Sequence, residues 1–210
     1  MRVQAKICGV STEAALDAAV SGGATHVGFV FFAPSPRDLA PDRALALARR
    51  LPAHVGRVGV FVDPIDDVIA QAAPALSAIQ LHKTAPDRAA AIRARFGLET
   101  WAAIGVRTRA DLDIARAYRG AADRILYDAK PPEGAALPGG LGLRFDWTLL
   151  DGFDHPLPWA LSGGLDLDNV RDAIGRTGAR LVDVSSGVES TPGVKDVDKI
   201  AAFLKAVAQA

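Results

Sequence analysis

The chain has 210 residues, enough for one sizeable core, with 50% hydrophobic and 23% charged residues, an ordinary globular profile. Lys plus Arg and Asp plus Glu each number 24, so the formal net charge is zero, and no basic block or acidic tail points to nucleic acid. A single Cys excludes an internal disulfide framework, the start MRVQAKICG lacks the apolar region of a signal peptide, and no apolar run is long enough to span a membrane, so a cytoplasmic protein is expected.

Apolar runs of β-branched character recur at Val3–Cys8, His26–Phe32, Arg57–Val62, Ala78–Leu81, Thr100–Val106, Arg124–Asp128, Trp159–Ser162 and Leu181–Ser185. Short strands separated by helical patterns indicate βαβ units and a parallel sheet. Helix starts are expected at Ala40-Pro41-Asp42, at Asp63-Pro64 with Asp66 and Asp67, at Ala85-Pro86-Asp87, at Thr108 with Asp111, and at Asp166 to Asn169. A last helix covers about 196–208. Eight units favour a closed (β/α)8 TIM barrel over an open doubly wound sheet, and with no composition break the chain reads as one domain, 1–210. Two loops stand out, 33–37 after the second strand and 129–144 after the sixth. The second holds three Pro and four Gly, reads as a lid or mobile segment, and leaves a reduced sixth helix at about 146–150.

Residues able to carry chemistry fall at strand ends. Cys8 ends the first strand on the same face as Lys6, whose ammonium would favour a thiolate. Asp128 ends the sixth among apolar neighbours, where a carboxyl would hold its proton longer and serve as a general acid. An inert buried Cys and a loop-capping Asp are the competing readings. Arg37, behind two prolines, suits recognition of a carboxylate, because its fork can hold both oxygens; a solvated surface arginine is the alternative. Gln80 with His82, and Asp183 with Ser185, share inward faces at strand ends, where a polar site or a satisfied buried network would accommodate them.

Gly163-Gly164 and Ser185-Ser186-Gly187 end the seventh and eighth strands. Small residues there let backbone N–H groups converge, and a helix start adds its dipole, which suits a phosphate; tight structural turns are the other reading. No phosphate-binding Walker sequence, GxGxxG frame, GxSxG elbow or metal-ligand spacing among the four His is present. The chemistry is expected to need no cofactor and no metal.

Taken in order, Lys6-Ile7-Cys8-Gly9, Gly28-Phe29-Val30-Phe31, Ser35-Pro36-Arg37, Val58-Gly59-Val60-Phe61, Gln80-Leu81-His82, Asp128, Phe145-Asp146-Trp147, Leu161-Ser162-Gly163-Gly164 and the run Asp183 to Glu189 resemble the phosphoribosylanthranilate isomerase family, from about residue 5 to the final helix. The resemblance implies an aldose–ketose isomerase of tryptophan biosynthesis that performs an Amadori rearrangement on a phosphosugar. It implies Asp128 as general acid and Cys8 as general base. Arg37 would meet the anthranilate carboxylate, Asp183 would lie near the sugar, and Gln80 and His82 would line the pocket. Gly163, Gly164, Ser185, Ser186 and Gly187 would hold the phosphate. Gly28 and Gly59 would give room inside the barrel. One departure is Leu141 between Gly140 and Gly142, where the family often has a small polar residue; it leaves only backbone contacts and a lid role for that loop. A catalytically inactive phosphosugar-binding barrel and another phosphosugar isomerase are the alternatives. No nucleic acid or membrane partner is expected, and monomer and homodimer both stay open.

Overall fold

The computed structural model describes residues 2–135 and 137–210; Met1 and Ala136, the latter inside the long loop, lie outside the described residues. Eight parallel strands close into a barrel in chain order: β1 (Gln4–Cys8), β2 (His26–Phe31), β3 (Gly56–Val62), β4 (Ala78–His82), β5 (Glu99–Val106), β6 (Arg124–Ala129), β7 (Trp159–Leu161) and β8 (Leu181–Val184). Strand β1 pairs with both β2 and β8, which completes the ring. The helices are α1 (Glu13–Ser21), α2 (Pro41–Ala48), α3 (Asp66–Ala72), α4 (Pro86–Phe96), α5 (Arg109–Asp113), α6 (Val170–Thr177) and α7 (Val197–Ala208). The reduced sixth helix is a single 3-10 turn, Trp147–Leu150. Among the described residues, no helix is long and apolar enough to cross a membrane.

Side-chain alternation builds two cores. Outward residues such as Ile7, Phe29, Phe61, Ile79 and Tyr127 pack in the layer shared with the helices. Inward residues form layers inside the ring. Val58, Ala78, Trp101, Leu126, Ala160 and Leu181 make an apolar plug, and Cys8, Val30 and Val60 form a smaller cluster. Two residues further along β4, β6 and β8 from plug residues stand Gln80, Asp128 and Asp183, all buried. The change from apolar plug to polar layer therefore follows from period-two alternation alone.

Most helix starts fall where the sequence puts them. Pro41 and Pro86 open α2 and α4 behind extended Ala40 and Ala85, and Thr108 with Asp111 forms a capping box on α5. One does not. Asp63 takes a left-handed backbone, φ 42°, and donates its N–H to His82 O at 3.0 Å; Ile65 is the cap of α3. The Asp63-Pro64 pair thus turns over the end of β4 instead of opening a helix. Asp166 to Asn169 does lead into α6, whose N-cap is Asn169, with Asp166 Oδ1 accepting from the N–H of Asp168 at 2.9 Å and of Asn169 at 3.0 Å. A hairpin absent from the sequence reading follows β8: β9 (Glu189–Thr191) and β10 (Val194–Lys195) pair antiparallel around Pro192-Gly193.

Candidate active site

At the carboxyl ends of the strands lies a cavity that opens to solvent. It is lined by Cys8, Arg37, Gln80, His82, Asp128, Gly163, Gly164, Asp183, Ser185 and Ser186. The proposed catalytic and binding residues are therefore in one place except Gly187. That glycine lies against Leu165 O, and a side chain there would collide with the turn after β7. Strands β1 and β6 are three strands apart in one direction round the ring and five in the other, so Cys8 and Asp128 face the cavity from well-separated walls.

The floor is ionic. Lys6 Nζ donates to Asp183 Oδ1 at 2.9 Å, with Lys6 wholly buried and Asp183 5% exposed. Burial opposes the ammonium, but Asp183 and Cys8 outweigh it and push Lys6 up to about 12. Ser162 Oγ donates to Asp183 Oδ2 at 3.1 Å, so both carboxylate oxygens are occupied. Among the described residues, Asp128 has one hydrogen-bond partner, the Ala129 N–H at 2.8 Å. Burial first, then the nearby negative charge of Asp183, push its carboxyl up to about 7. A group that titrates there holds a proton at neutrality and can give it away.

Cys8 differs from the expectation. Burial pushes its thiol up, and Asp183 adds to that; Lys6 and Lys195 pull down without overcoming it. The thiolate expected beside Lys6 is thus opposed, chiefly by burial and then by Asp183, which also shares the Lys6 charge. Gly28, paired with Cys8 on β2, makes the room for the sulfur: a Cβ there would stand 2.9 Å from Sγ and 3.1 Å from Cys8 Cα. Gly28→Ala should therefore displace the thiol and lower kcat by about 10²-fold. The melting temperature should drop only by the few degrees that about 1–2 kcal/mol of overpacking implies. Steady-state rates beside a thermal melt check this, and unaltered kcat would contradict it.

On β4, Gln80 Nε2 and His82 Nε2 are 2.9 Å apart. Burial, then Lys6, hold His82 down at about 4, so it is neutral in use. Gln80 Oε1 has no protein partner among the described residues, which leaves it an acceptor for a hydroxyl in the cavity.

Arg37 is buried, contrary to a surface arginine, and its fork is already engaged. Nε donates to Glu189 Oε1 and Nη2 to Glu189 Oε2, both at 2.7 Å. The two-oxygen grip on a ligand expected from sequence is corrected: one edge of the guanidinium belongs to Glu189. The long loop covers the cavity. Gly140 O accepts from Arg37 Nη2 at 3.1 Å, and Gly139 lies against Asp128 Oδ2 with no space for a side chain. Leu141 is 43% exposed, and the loop's polar contacts to the site come from its backbone.

The two glycine/serine turns close the remaining side. Gly163 and Gly164 have φ of 89° and 62°, a left-handed pair that other residues rarely adopt. A Cβ on Gly164 would lie 2.8 Å from Leu143 O. Asn169 Nδ2 holds Gly164 O at 2.8 Å. Ser185 Oγ donates to Cys8 O at 3.2 Å, tying the β8 turn to the thiol-bearing strand. Among the described residues, no group of three or more His, Cys, Asp or Glu side chains is placed to hold a metal ion.

Sequence reasoning passed over Lys6 as half of an ion pair, Glu189 as the partner of Arg37, and Lys195 altogether. Asp183 is distant from Lys6 along the chain, as Glu189 is from Arg37, but Lys195 lies near Glu189, and the Pro192-Gly193 dipeptide was a turn signal that would have located the hairpin.

A closed parallel barrel with an enclosed polar site at the carboxyl ends of its strands is the architecture of a (β/α)8-barrel enzyme. Residues 5–206 match the family model for N-(5'-phosphoribosyl)anthranilate (PRA) isomerase. The chain belongs to that family. A protein named N-(5'-phosphoribosyl)anthranilate isomerase from Zymomonas mobilis subsp. pomaceae is 52% identical over 210 residues, covering 99% of each chain. The crystal structure of phosphoribosyl anthranilate isomerase from Thermotoga maritima is 37% identical, with TM-score 0.86 over 99% of this chain and 100% of that one. A further structure of phosphoribosyl anthranilate isomerase holds reduced 1-(o-carboxyphenylamino)-1-deoxyribulose 5-phosphate. It is 35% identical, with TM-score 0.81 and coverage of 99% and 100%.

Proposed function

We propose that the chain converts N-(5'-phosphoribosyl)anthranilate to 1-(2-carboxyphenylamino)-1-deoxyribulose 5-phosphate in tryptophan biosynthesis, with Asp128 as general acid and Cys8 as general base. The observation that carries this is the pairing, in one enclosed cavity of a family member, of a buried thiol with a carboxyl that titrates near 7. Asp128 gives its proton to the furanose ring oxygen. The bond from that oxygen to C1 breaks, and the nitrogen lone pair closes an iminium. Cys8 then removes the proton on C2, and the electron pair moves toward the iminium to give an enolamine. Protonation at C1 and loss of the C2 hydroxyl proton leave the ketone. The iminium accepts the electrons, so the bond changes need only an acid and a base to move protons.

The binding roles follow the same layout. Arg37 meets the anthranilate carboxylate. The N–H groups about Gly163, Gly164, Ser185 and Ser186 receive the phosphate, and Gly187 permits their close approach. Asp183 sits beside the sugar, held by Lys6, with Gln80 and His82 along the wall. We read the protein as cytoplasmic, in keeping with a lone thiol that must stay reduced.

The substrate's native fluorescence tests the activity. Substrate generated in situ, with the protein added and no metal supplied, should lose fluorescence much faster than a blank. A decay equal to the blank would favour a catalytically inactive phosphosugar-binding barrel.

The pH profile follows from the two titrations. Catalysis needs Asp128 protonated and Cys8 ionised, yet Asp128 titrates near 7 and Cys8 above its ordinary value. The productive arrangement is then the minor form of the singly protonated pair. Below about pH 7, kcat/KM should climb with unit slope, because the thiolate fraction grows while Asp128 stays protonated. From there it should stay level until Cys8 titrates, since each gain of thiolate is cancelled by loss of acid. A kcat/KM profile that falls from pH 7 upward would mean that Cys8 is already ionised, against its burial.

A further inference from the structure

The mechanism leaves two buried charges without a role, Glu189 and Lys195. Glu189, first residue of β9, receives the Nε and Nη2 edge of Arg37 at 2.7 Å each. Lys195, on β10, donates to Glu189 Oε1 at 2.6 Å and to Ser185 O at 2.9 Å and Oγ at 3.2 Å. The Gly193 N–H donates to Glu189 Oε2 at 3.2 Å. Although burial works against it, hydrogen bonds from Arg37 and Lys195 hold the Glu189 carboxyl below the usual range, so it is ionised. One anion thus serves two cations, and the cluster carries one net positive charge at the mouth.

A guanidinium has five N–H donors in a fixed plane. Nε–H and one Nη2 hydrogen go to Glu189, and the other Nη2 hydrogen goes to Gly140 O. Among the described residues, the donors left over are those of Nη1. That nitrogen lies beside Gly140, where a Cβ would stand 2.8 Å from it, so the glycine keeps access to Nη1 open. Glu189 therefore fixes which nitrogen of Arg37 is offered to the cavity and in what direction.

We propose that Glu189 is the positioning residue that sets substrate specificity: it clamps Arg37 so that Nη1 meets an aryl carboxylate, while Lys195 holds Glu189 and joins the clamp to the Ser185 turn. This rests on the reading of Arg37 as the carboxylate receptor. Selectivity for a carboxylated arylamine then originates in the β9–β10 hairpin, outside the wall that the aromatic ring touches. Removing the negative charge would release a long side chain with several rotatable bonds. It would also turn an amide N–H₂ toward a guanidinium that has only donors to offer.

The test compares kcat/KM on the anthranilate substrate with that on N-(5'-phosphoribosyl)aniline, which lacks the carboxylate. Glu189→Gln should lose about 10²-fold on the first, mainly in KM because the carboxylate contact is made in ground and transition states alike, and no more than about threefold on the second. Arg37→Ala should show the same selective loss, and adding Glu189→Gln to it should change little, because the two act as one unit. Equal losses of Glu189→Gln on both substrates, or multiplying losses in the double variant, would overturn the proposal and leave Glu189 a structural residue. Should Glu189→Gln fail to fold, Glu189→Asp keeps the charge but shortens the reach; it should cut the preference for the carboxylated substrate by about tenfold with kcat nearly intact. Undiminished preference in Glu189→Asp would equally overturn it. Equal losses of Arg37→Ala on both substrates would instead remove the Arg37 reading, independently of Glu189.

Discussion

Asp128→Asn is expected to lower kcat by about 10³-fold or more, the loss of a general acid whose leaving group is a poor one. The same change should stabilise the fold at alkaline pH. The carboxyl titrates near 7 in the folded chain against an ordinary value of 3.8, so the folded state keeps a proton that the unfolded state has lost. The sign is fixed by that order: below about pH 4 both states are protonated and the group is neutral in effect; the penalty grows between about 4 and 7 and is complete above 7. Asparagine carries no charge to bury, and its Oδ1 can still accept the Ala129 N–H, which lies 2.8 Å from Asp128 Oδ1. At pH 8 the variant should gain a few kcal/mol, or about 5–10 °C in melting temperature. Near pH 4 the difference should vanish. Paired thermal melts at the two pH values, beside the rate measurement, check both halves. An inactive variant with no gain at pH 8 would mean that the wild-type carboxyl is ionised at little cost, and its role as acid would fail.

Cys8→Ser should be as damaging, about 10³-fold in kcat, for a different reason. A hydroxyl is nearly the size of a thiol, so the small cluster of Cys8 with Val30 and Val60 should survive. What is lost is basicity on demand. A thiol already pushed up by burial still ionises far more easily than an alcohol in the same place. Affinity for the product should stay within about threefold of the wild type, because in the proposed reaction the sulfur meets the substrate only at C2. Turnover within tenfold of the wild type would remove Cys8 from the mechanism.

The parts of the site that could be read in the sequence are those set by local periodicity. Lys6 with Cys8, Gln80 with His82, and Asp183 with Ser185 had to share a face once they lay on strands, and a barrel has only one inner face. The glycine/serine turns were legible because glycine takes positive φ and close backbone approach far more readily than other residues, as at Gly163 and Gly164. What local pattern could not supply was the partner of each charge. Asp183 lies 177 residues from Lys6, and it changes Lys6 from an activator of Cys8 into half of an ion pair. Glu189 lies 152 residues from Arg37 and takes one edge of its fork. The state of Cys8 likewise depends on how much water reaches it, which burial decides. Helix starts failed only where a nearby strand end claimed the backbone, as His82 O does with the Asp63 N–H.

The central claim is that Cys8 takes the proton from C2 while Asp128 serves the ring oxygen. A crystal structure of this chain with reduced 1-(o-carboxyphenylamino)-1-deoxyribulose 5-phosphate tests it most directly. In the product analogue, the former ring oxygen is the C4 hydroxyl. Cys8 Sγ should lie within about 3.5 Å of C2 and an Asp128 oxygen within about 3 Å of that hydroxyl. A complex with the sulfur out of reach of C2, or with Asp128 turned away from the C4 hydroxyl, would contradict it.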